Sequence, residues 1–509
     1  METKTPEKTT DSEVIIVGAG PAGATAAYYL AKAGHSVTLL ERQSFPRDKV
    51  CGDFVGPIAI KELQDMGITQ LPEFENANVI KTAAVFLDGQ ELIHAAMPSL
   101  SGLPQYGRVI PRRTLDAWVF EVARKAGATI IENALVTGFQ IQKKNVKVTA
   151  KTAEGTRSFS ARLLIGADGT NSVIAHNLRG SAPPKASRVV GIRGYYKNVQ
   201  GPSSQADMHF ASPSFPGYCW LFPTSETEAN VGVGVLLETM PQSKQPKELL
   251  TELINQNEAL KKRLVNAELK GNLETWPLNV YNASLPIVGD RVMLIGEAAG
   301  LVNPLNGEGI QYALLSGKWA AQTADSCLAK SDFSQTALSA YSKRVEGELG
   351  DGFKLSGLIV QLIRNRNLNP LWLRAFEVMV ARANNDPQYA TLAGAILSGM
   401  VPTSQGLNPN FMFSTLQEAA MSSGLRIVGD TIRDPTNLPK TAIRITQTGL
   451  EFAINTAQNP LGFFQWSMET GAQMAEYAAS IPLQMLEGFE KTQPDKPQPR
   501  AKPNKLQIK

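Results

Sequence analysis

Apolar residues run unbroken through Val14-Ile-Ile-Val17 and give way at once to a glycine cluster, Gly18-Ala-Gly20-Pro-Ala-Gly23. Helical spacing follows, then a second apolar strand, Ser36-Val-Thr-Leu-Leu40, closed by Glu41. Strand, glycine turn, helix, strand and acid in that order predict a βαβ unit. From about 72 to 110 the pattern is short and strand-like, with turn signals such as Asp88-Gly89. The spacing predicts an amphipathic helix over Arg113–Ala126, stopped by Gly127. Alternating segments at Lys143–Thr152 and Thr156–Ser160 lead to a buried strand, Leu163-Leu-Ile165, that ends in Gly166-Ala-Asp168-Gly169. Period-two alternation returns in Gly191–Tyr196, Gly217–Phe222 and Ala229–Leu237, with one helical insert near Lys247–Val265. A further buried strand, Arg291-Val-Met-Leu-Ile295, runs into Gly296-Glu-Ala-Ala-Gly300. A long helix is expected from just after Gly307 to about Ala329. Helical patterning dominates 335–490, with apolar stretches at Leu355–Ile363, Leu371–Val380 and Ala390–Val401.

Glycine-turn strands thus occur at 13–18, 163–169 and 291–300, separated by β-rich segments. The expected fold class is α/β: a discontinuous Rossmann-like dinucleotide domain (11–75, 105–185 and 285–335), an inserted antiparallel β-sheet substrate domain (76–104 and 186–284), and a helical C-terminal region (336–490). Residues 491–509, rich in Pro, Lys and Gln, read as a disordered basic tail. The ligand is expected at the carboxyl ends of the parallel strands.

The opening glycines have distinct tasks. Gly18 permits the tight turn, Gly20 lets the backbone approach a pyrophosphate, and Gly23 lets the helix pack closely on the strand. The helix start offers unpaired N–H groups and a partial positive charge to phosphates. Glu41 is placed to accept hydrogen bonds from a ribose diol.

Bulk properties narrow the classes. A chain of 509 residues, 43% hydrophobic and 19% charged, is a folded protein of two or three domains. A net charge of +4 is too weakly basic to argue for nucleic acid. Cys51, Cys219 and Cys327 lie far apart, which fits a reducing compartment without structural disulfides. Four scattered histidines make no readable metal site. The first dozen residues lack a signal-peptide core, and no run of about 18 apolar residues predicts a membrane span. The expected location is cytoplasmic, with the apolar helices of 355–401 as candidates for a lipid entry or for peripheral membrane contact, to which the basic tail would add attraction.

Four segments together carry a resemblance. They are the opening motif, Phe45-Pro-Arg-Asp-Lys-Val-Cys51-Gly52-Asp53, Gly166-Ala-Asp168-Gly169-Thr-Asn-Ser172, and Gly296-Glu-Ala-Ala-Gly300-Leu-Val-Asn303-Pro304-Leu-Asn-Gly307-Glu308-Gly309-Ile310. They resemble the flavoprotein superfamily of p-hydroxybenzoate-hydroxylase type. With the box Tyr218-Cys-Trp220-Leu-Phe-Pro223, residues 13–365 most resemble the geranylgeranyl reductase family, which saturates isolated double bonds of prenyl chains. The resemblance implies that Gly18, Gly20, Ala22, Gly23, Glu41 and Arg42 bind the ADP half of FAD. It places Asp168 and Gly169 at the middle of the cofactor. Glu297, Gly300, Pro304, Gly307, Glu308, Gly309 and Ile310 fall on its flavin side, with Cys51, Gly52 and Arg112 close by. Two positions depart from the family pattern: Glu297 replaces the usual Asp, and His176 stands where an arginine is usual.

Cys51, Tyr218 and Trp220 are the candidate catalytic residues. Tyr218, Trp220 and Phe222 alternate, so they share one face of a strand and suit an apolar chain lying over a flavin. Cys51 is read as tuning the flavin, shaping the tunnel or supplying a proton. Asp48, Lys49 and Asp53 read first as ion pairs that order their loop, and second as holders of a proton. The expected reaction is FAD-dependent saturation of a polyprenyl C=C on a lipid, quinone or pigment precursor, with NADPH or a ferredoxin-like electron donor as reductant. An aromatic-ring monooxygenase and a non-catalytic flavin-binding assembly protein are the alternatives. A halogenase is disfavoured because its W-x-W-x-I-P box lacks the first Trp and the Ile here.

Overall fold

The computed structural model describes residues 10–184, 187–211, 214–240, 245–365, 369–407 and 460–480. The tail 491–509 and much of the expected C-terminal helical region, including 408–459, lie outside the described residues.

Thr10–Val17 is the centre of an eight-stranded sheet. It pairs in parallel with Val37–Leu40 on one side and with Gly155–Gly166 on the other, bringing Val37 and Leu163 level with Val14. Val292–Leu294 and Thr129–Ile131 continue the parallel order outward. The segments read as separate strands at 156–160 and 163–165 form one strand of 12 residues. Its first half pairs antiparallel with Val146–Thr152 while its second half joins the parallel sheet. The apolar residues 14–17 are almost fully buried, as a strand covered by helices on both faces requires. Pro21–Lys32 lies against the long helix Ile310–Lys330, and Gly317 lets them meet: a Cβ there would lie 2.4 Å from the Ala22 carbonyl oxygen.

A second, seven-stranded sheet takes strands from two stretches of chain, 82–96 and 188–279. It is antiparallel except where Thr82–Leu87 pairs in parallel with Gln205–Phe210, two strands from different stretches. Tyr218–Pro223 lies inside this sheet, between Gln205–Phe210 and Glu228–Leu236. Its Cys219 and Leu221 face a core completed by Leu249, Leu250, Leu253 and Leu260. Those leucines sit on two helices, Pro246–Gln256 and Glu258–Arg263, rather than the single insert expected. Asn257 ends the first, and its side chain caps the second by accepting the Leu260 N–H at 3.1 Å.

Beyond the long helix come Gln335–Val345, Asp351–Ile363, Asn369–Asn385, Pro387–Leu397 and Pro460–Ser480. The last packs on Asp351–Ile363, with the Trp466 indole donating to the Gln361 carbonyl at 2.8 Å. Asn384 Nδ2 donates to Leu92 O at 3.1 Å, which ties Asn369–Asn385 to the strand Gln90–Ala96. Among the described residues, no helix is long and apolar enough to cross a membrane.

Candidate active site

One continuous cavity of about 1450 Å³ runs from the carboxyl ends of the parallel strands to the aromatic strand and on to Pro387–Leu397. Its first end is a cradle built by glycines. Gly18 has φ +96°, and a Cβ there would stand 2.4 Å from Ala167 O. A Cβ at Gly23 would stand 1.9 Å from Gly18 O, so Gly23 serves helix-to-strand packing and does not itself line the cavity. At Gly20 a Cβ would meet only the Arg47 guanidinium, at 3.6 Å. Gly20, Pro21 and Ala22 line the cavity where Pro21–Lys32 begins. That helix start has no side-chain cap and no acid in its first turn, which leaves its N–H groups and dipole for an anionic ligand. Glu41 is buried beside it. Its Oε2 accepts the Ala19 N–H at 2.8 Å and its Oε1 the Gln43 N–H at 3.0 Å, which fixes the carboxylate at the cavity wall next to exposed Arg42.

The loop 45–53 crosses the middle of the cavity and is pinned on several sides. Arg47 Nη1 reaches Asp116 Oδ2 at 2.9 Å, Asp48 accepts Arg193 Nη2 at 2.6 Å, and Lys49 Nζ lies 2.6 Å from Glu297 Oε2. Asp53, with φ +64°, is wholly buried. Its Oδ2 accepts the Tyr195 hydroxyl at 2.5 Å and Asn230 Nδ2 at 2.8 Å, and its Oδ1 accepts the Arg112 N–H at 3.3 Å. Burial pushes the Asp53 carboxyl up to about 6 against the pull of those donors. Cys51 lines the cavity, and its Sγ accepts the Asp53 N–H at 3.3 Å. Burial holds the thiol above its ordinary range, so it is neutral rather than thiolate. Gly52 lies against the wall, since a Cβ there would stand 3.2 Å from the Phe222 ring.

Arg112 lines the cavity with its guanidinium held in a two-pronged pair by Asp116, Nε to Oδ1 at 2.6 Å and Nη2 to Oδ2 at 2.8 Å. Burial works against its charge, but the Asp116 carboxylate outweighs burial and raises its pKa. Asp168 and Gly169 also line the cavity. The Asp168 carboxylate is engaged by the Ser172 hydroxyl and the Val173 and Ile174 N–H groups, so it orders the start of Val173–Arg179. Glu297 accepts Lys49 on one oxygen and the Thr170 hydroxyl, at 2.5 Å, on the other. Gly300 is a turn glycine with φ +80° and does not line the cavity.

Pro304, Gly307, Glu308, Gly309 and Ile310 all line the cavity. Gly307 N–H returns to Asn303 O at 3.0 Å and Glu308 N–H to Asn306 Oδ1 at 3.0 Å, so these amides close the loop on itself. The helix start at Gly309–Ile310, again without a side-chain cap, is left facing the cavity. Burial raises the Glu308 carboxyl to about 8.

The other end is apolar. Tyr218, Trp220 and Phe222 form a continuous wall, with Trp220 and Phe222 stacked at 6.3 Å between ring centres. Tyr218 donates to Asn306 O at 2.8 Å, which joins the wall to the loop before the long helix. Trp220 Nε1 donates to Asn230 Oδ1 at 2.9 Å, while Asn230 Nδ2 reaches both Cys51 O and Asp53. Ala390, Gly394 and Leu397 roof the chamber opposite. Sequence reasoning missed Asn230, Arg193 and Tyr195, whereas 390–397 falls in the apolar stretch read as a lipid entry or a membrane-contact surface. Asn230 sits two residues after the start of an alternating strand and shows no motif, so no sequence signal marked it.

The residues present fit FAD: two uncapped helix starts, a glycine cradle that a Cβ would fill, and a fixed acid at the end of the second strand. The sequence model of the family described as FAD binding domain matches residues 11–315. Menaquinone reductase of Mycobacterium tuberculosis is 33% identical over 329 residues, covering 62% of this chain and 77% of the relative. Digeranylgeranylglycerophospholipid reductase 2 of Methanopyrus kandleri is 29% identical over 70% of this chain and 89% of its own. A solved structure of a geranylgeranyl bacteriochlorophyll reductase-like protein from Thermoplasma acidophilum superposes with a TM-score of 0.63 at 23% identity, covering 70% of this chain and 88% of that one, a likeness of fold.

Proposed function

Since the chain belongs to the FAD binding domain family and is an FAD-dependent oxidoreductase, we propose that it reduces isolated C=C bonds in the polyprenyl chain of a quinone or lipid. The carrying observation is one continuous cavity, which joins the cofactor cradle to an apolar chamber walled by Tyr218, Trp220 and Phe222. At about 1450 Å³ it exceeds the roughly 300–1,000 Å³ of a pocket for one small ligand, and so has room for cofactor and substrate together. The names of the curated relatives, a quinone reductase and a prenyl-lipid reductase, support the same substrate class.

Bound FAD supplies hydride chemistry. The helix start at Gly20–Ala22 and Glu41 would hold its ADP half, and the helix start at Gly309–Ile310 its flavin side. An isolated alkene has no activating group, so the protein must position it and exclude water. The aromatic wall and the roof of Ala390, Gly394 and Leu397 do both. NADPH or a ferredoxin-like protein is the proposed electron donor. Peripheral contact with a bilayer would deliver such a substrate, and the exposed Phe464 and Met468 of Pro460–Ser480 offer apolar surface for it.

The test is anaerobic. The flavoprotein is reduced with dithionite and mixed with a menaquinone or a geranylgeranyl lipid, and products are read by mass spectrometry. A gain of two hydrogens per reduced bond is expected. Intact substrate across several head groups, with flavin retained, would sink the proposal.

A further inference from the structure

The cavity brings together acids from all three cofactor segments, and their partners separate them. Glu41 holds two backbone N–H groups, Asp48 and Glu274 hold Arg193, and Glu297 holds Lys49 and Thr170. Asp53 and Asp168 each accept several donors. Each is committed to the architecture. Glu308 is the exception: among the described residues, its carboxyl meets no hydrogen-bond donor and no cation, although its backbone is fixed on both sides by Asn303 and Asn306.

Its place in the chain adds a second argument. Glu308 stands between Asn306, whose carbonyl accepts the Tyr218 hydroxyl of the substrate wall, and Gly309, where the cofactor-facing helix begins. The roof closes over it, since a Cβ at Gly399 would lie 3.5 Å from Glu308 Cγ. It therefore lines the cavity where the cradle meets the apolar chamber. We propose that Glu308 is the acid that protonates the substrate when the double bond is reduced, an assignment that rests on the function proposed above.

The chemistry balances. One alkene carbon gains a hydride equivalent from the reduced cofactor, and the other gains the Glu308 O–H proton. The π bond breaks, two C–H bonds form, the cofactor is oxidised, and the carboxylate left behind is reprotonated from water. A carboxyl serves this step only if it is neutral beforehand. Burial alone raises Glu308, to about 8, and the titratable groups facing it are the neutral phenols Tyr218 on the wall and Tyr312 on the long helix. The Tyr218 proton is held by the Asn306 carbonyl, which leaves the Cys51 thiol as the competing donor.

The experiment is an anaerobic single turnover with the full-length flavoprotein. The dithionite-reduced protein is mixed with menaquinone between pH 6 and 10, and flavin reoxidation is followed together with the saturated product. Wild type should slow as pH rises through about 8. Glu308→Gln should bind and accept electrons into FAD as wild type does, yet turn over at least about 100-fold more slowly with no inflection near pH 8. Glu308→Asp should recover part of the rate and restore a pH inflection. Glu308→Gln forming product at the wild-type rate with the wild-type pH profile would overturn the assignment and leave the proposed function standing. Loss of product only in Cys51→Ala would move the role to the thiol. Absence of saturated product from wild type itself would overturn both readings at once.

Discussion

Lys49 Nζ lies 2.6 Å from Glu297 Oε2, an ion pair that closes the loop carrying Cys51 onto the turn after the last parallel strand. The extra methylene of Glu297 over the aspartate usual in the resembling family gives the carboxylate that reach. Glu297→Asp withdraws it by about 1.5 Å. The expected result is weaker FAD binding by about 1 kcal/mol, roughly fivefold, read by fluorescence titration of the apoprotein. Lys49→Met should weaken binding to a similar extent, and the double variant should show that the two effects do not add.

Asn230 is wholly buried and joins Trp220, Cys51 and Asp53. Asn230→Leu should cost about 1–3 kcal/mol for each partner left unpaired, seen in urea denaturation. Unchanged stability would mean that the indole and the Asp53 carboxylate find other partners.

Gly23→Ala places a methyl group 1.9 Å from a backbone oxygen, so it should abolish retention of FAD through purification. Gly357→Ala, on Asp351–Ile363 with no described residue's atom within 4 Å of the added carbon, should instead stabilise the protein by about 0.5–1 kcal/mol. Thermal melts and flavin absorbance on the two variants check both.

His209 is buried against Phe86, and among the described residues neither ring nitrogen has a hydrogen-bond partner. Burial, aided by Arg263, lowers its pKa to about 3. The folded state therefore stays unprotonated while the unfolded state takes a proton below about pH 6.5, so stability falls as pH drops from about 6.5 toward 3. His209→Phe should flatten that part of the stability profile, with a difference on the order of a few kcal/mol at pH 4 relative to pH 7.5. Parallel profiles for the two proteins would refute it.

The cradle was legible because its chemistry is local. Gly18, Gly20 and Gly23 lie within one turn and helix start, and the acid they imply, Glu41, closes the next strand. Tyr218, Trp220 and Phe222 were legible for the same reason, since alternation on one strand fixes a shared face. Long-range pairing was hidden. Nothing near Asn230 signals that it will meet Cys51 and Asp53, some 180 positions earlier, nor does Arg193 announce Asp48. Two strands read from 156–160 and 163–165 are one because their partners differ, which only the assembled sheet reveals. The roof was legible only as an apolar stretch suited to lipid, because helices far along the chain carry no mark of what they cover.

Two amide side chains fasten that roof. Gln311 Nε2 donates to Gly399 O at 2.9 Å, and Asn306 Nδ2 to Leu397 O at 3.2 Å. Both amides belong to the cofactor framework, while both carbonyls belong to the end of the appended helical segment. The joint is thus made to backbone, whose carbonyls persist whatever side chains the segment carries. Evolution can redraw the ceiling of the chamber, and with it the length and shape of molecule admitted, without rebuilding the machinery beneath.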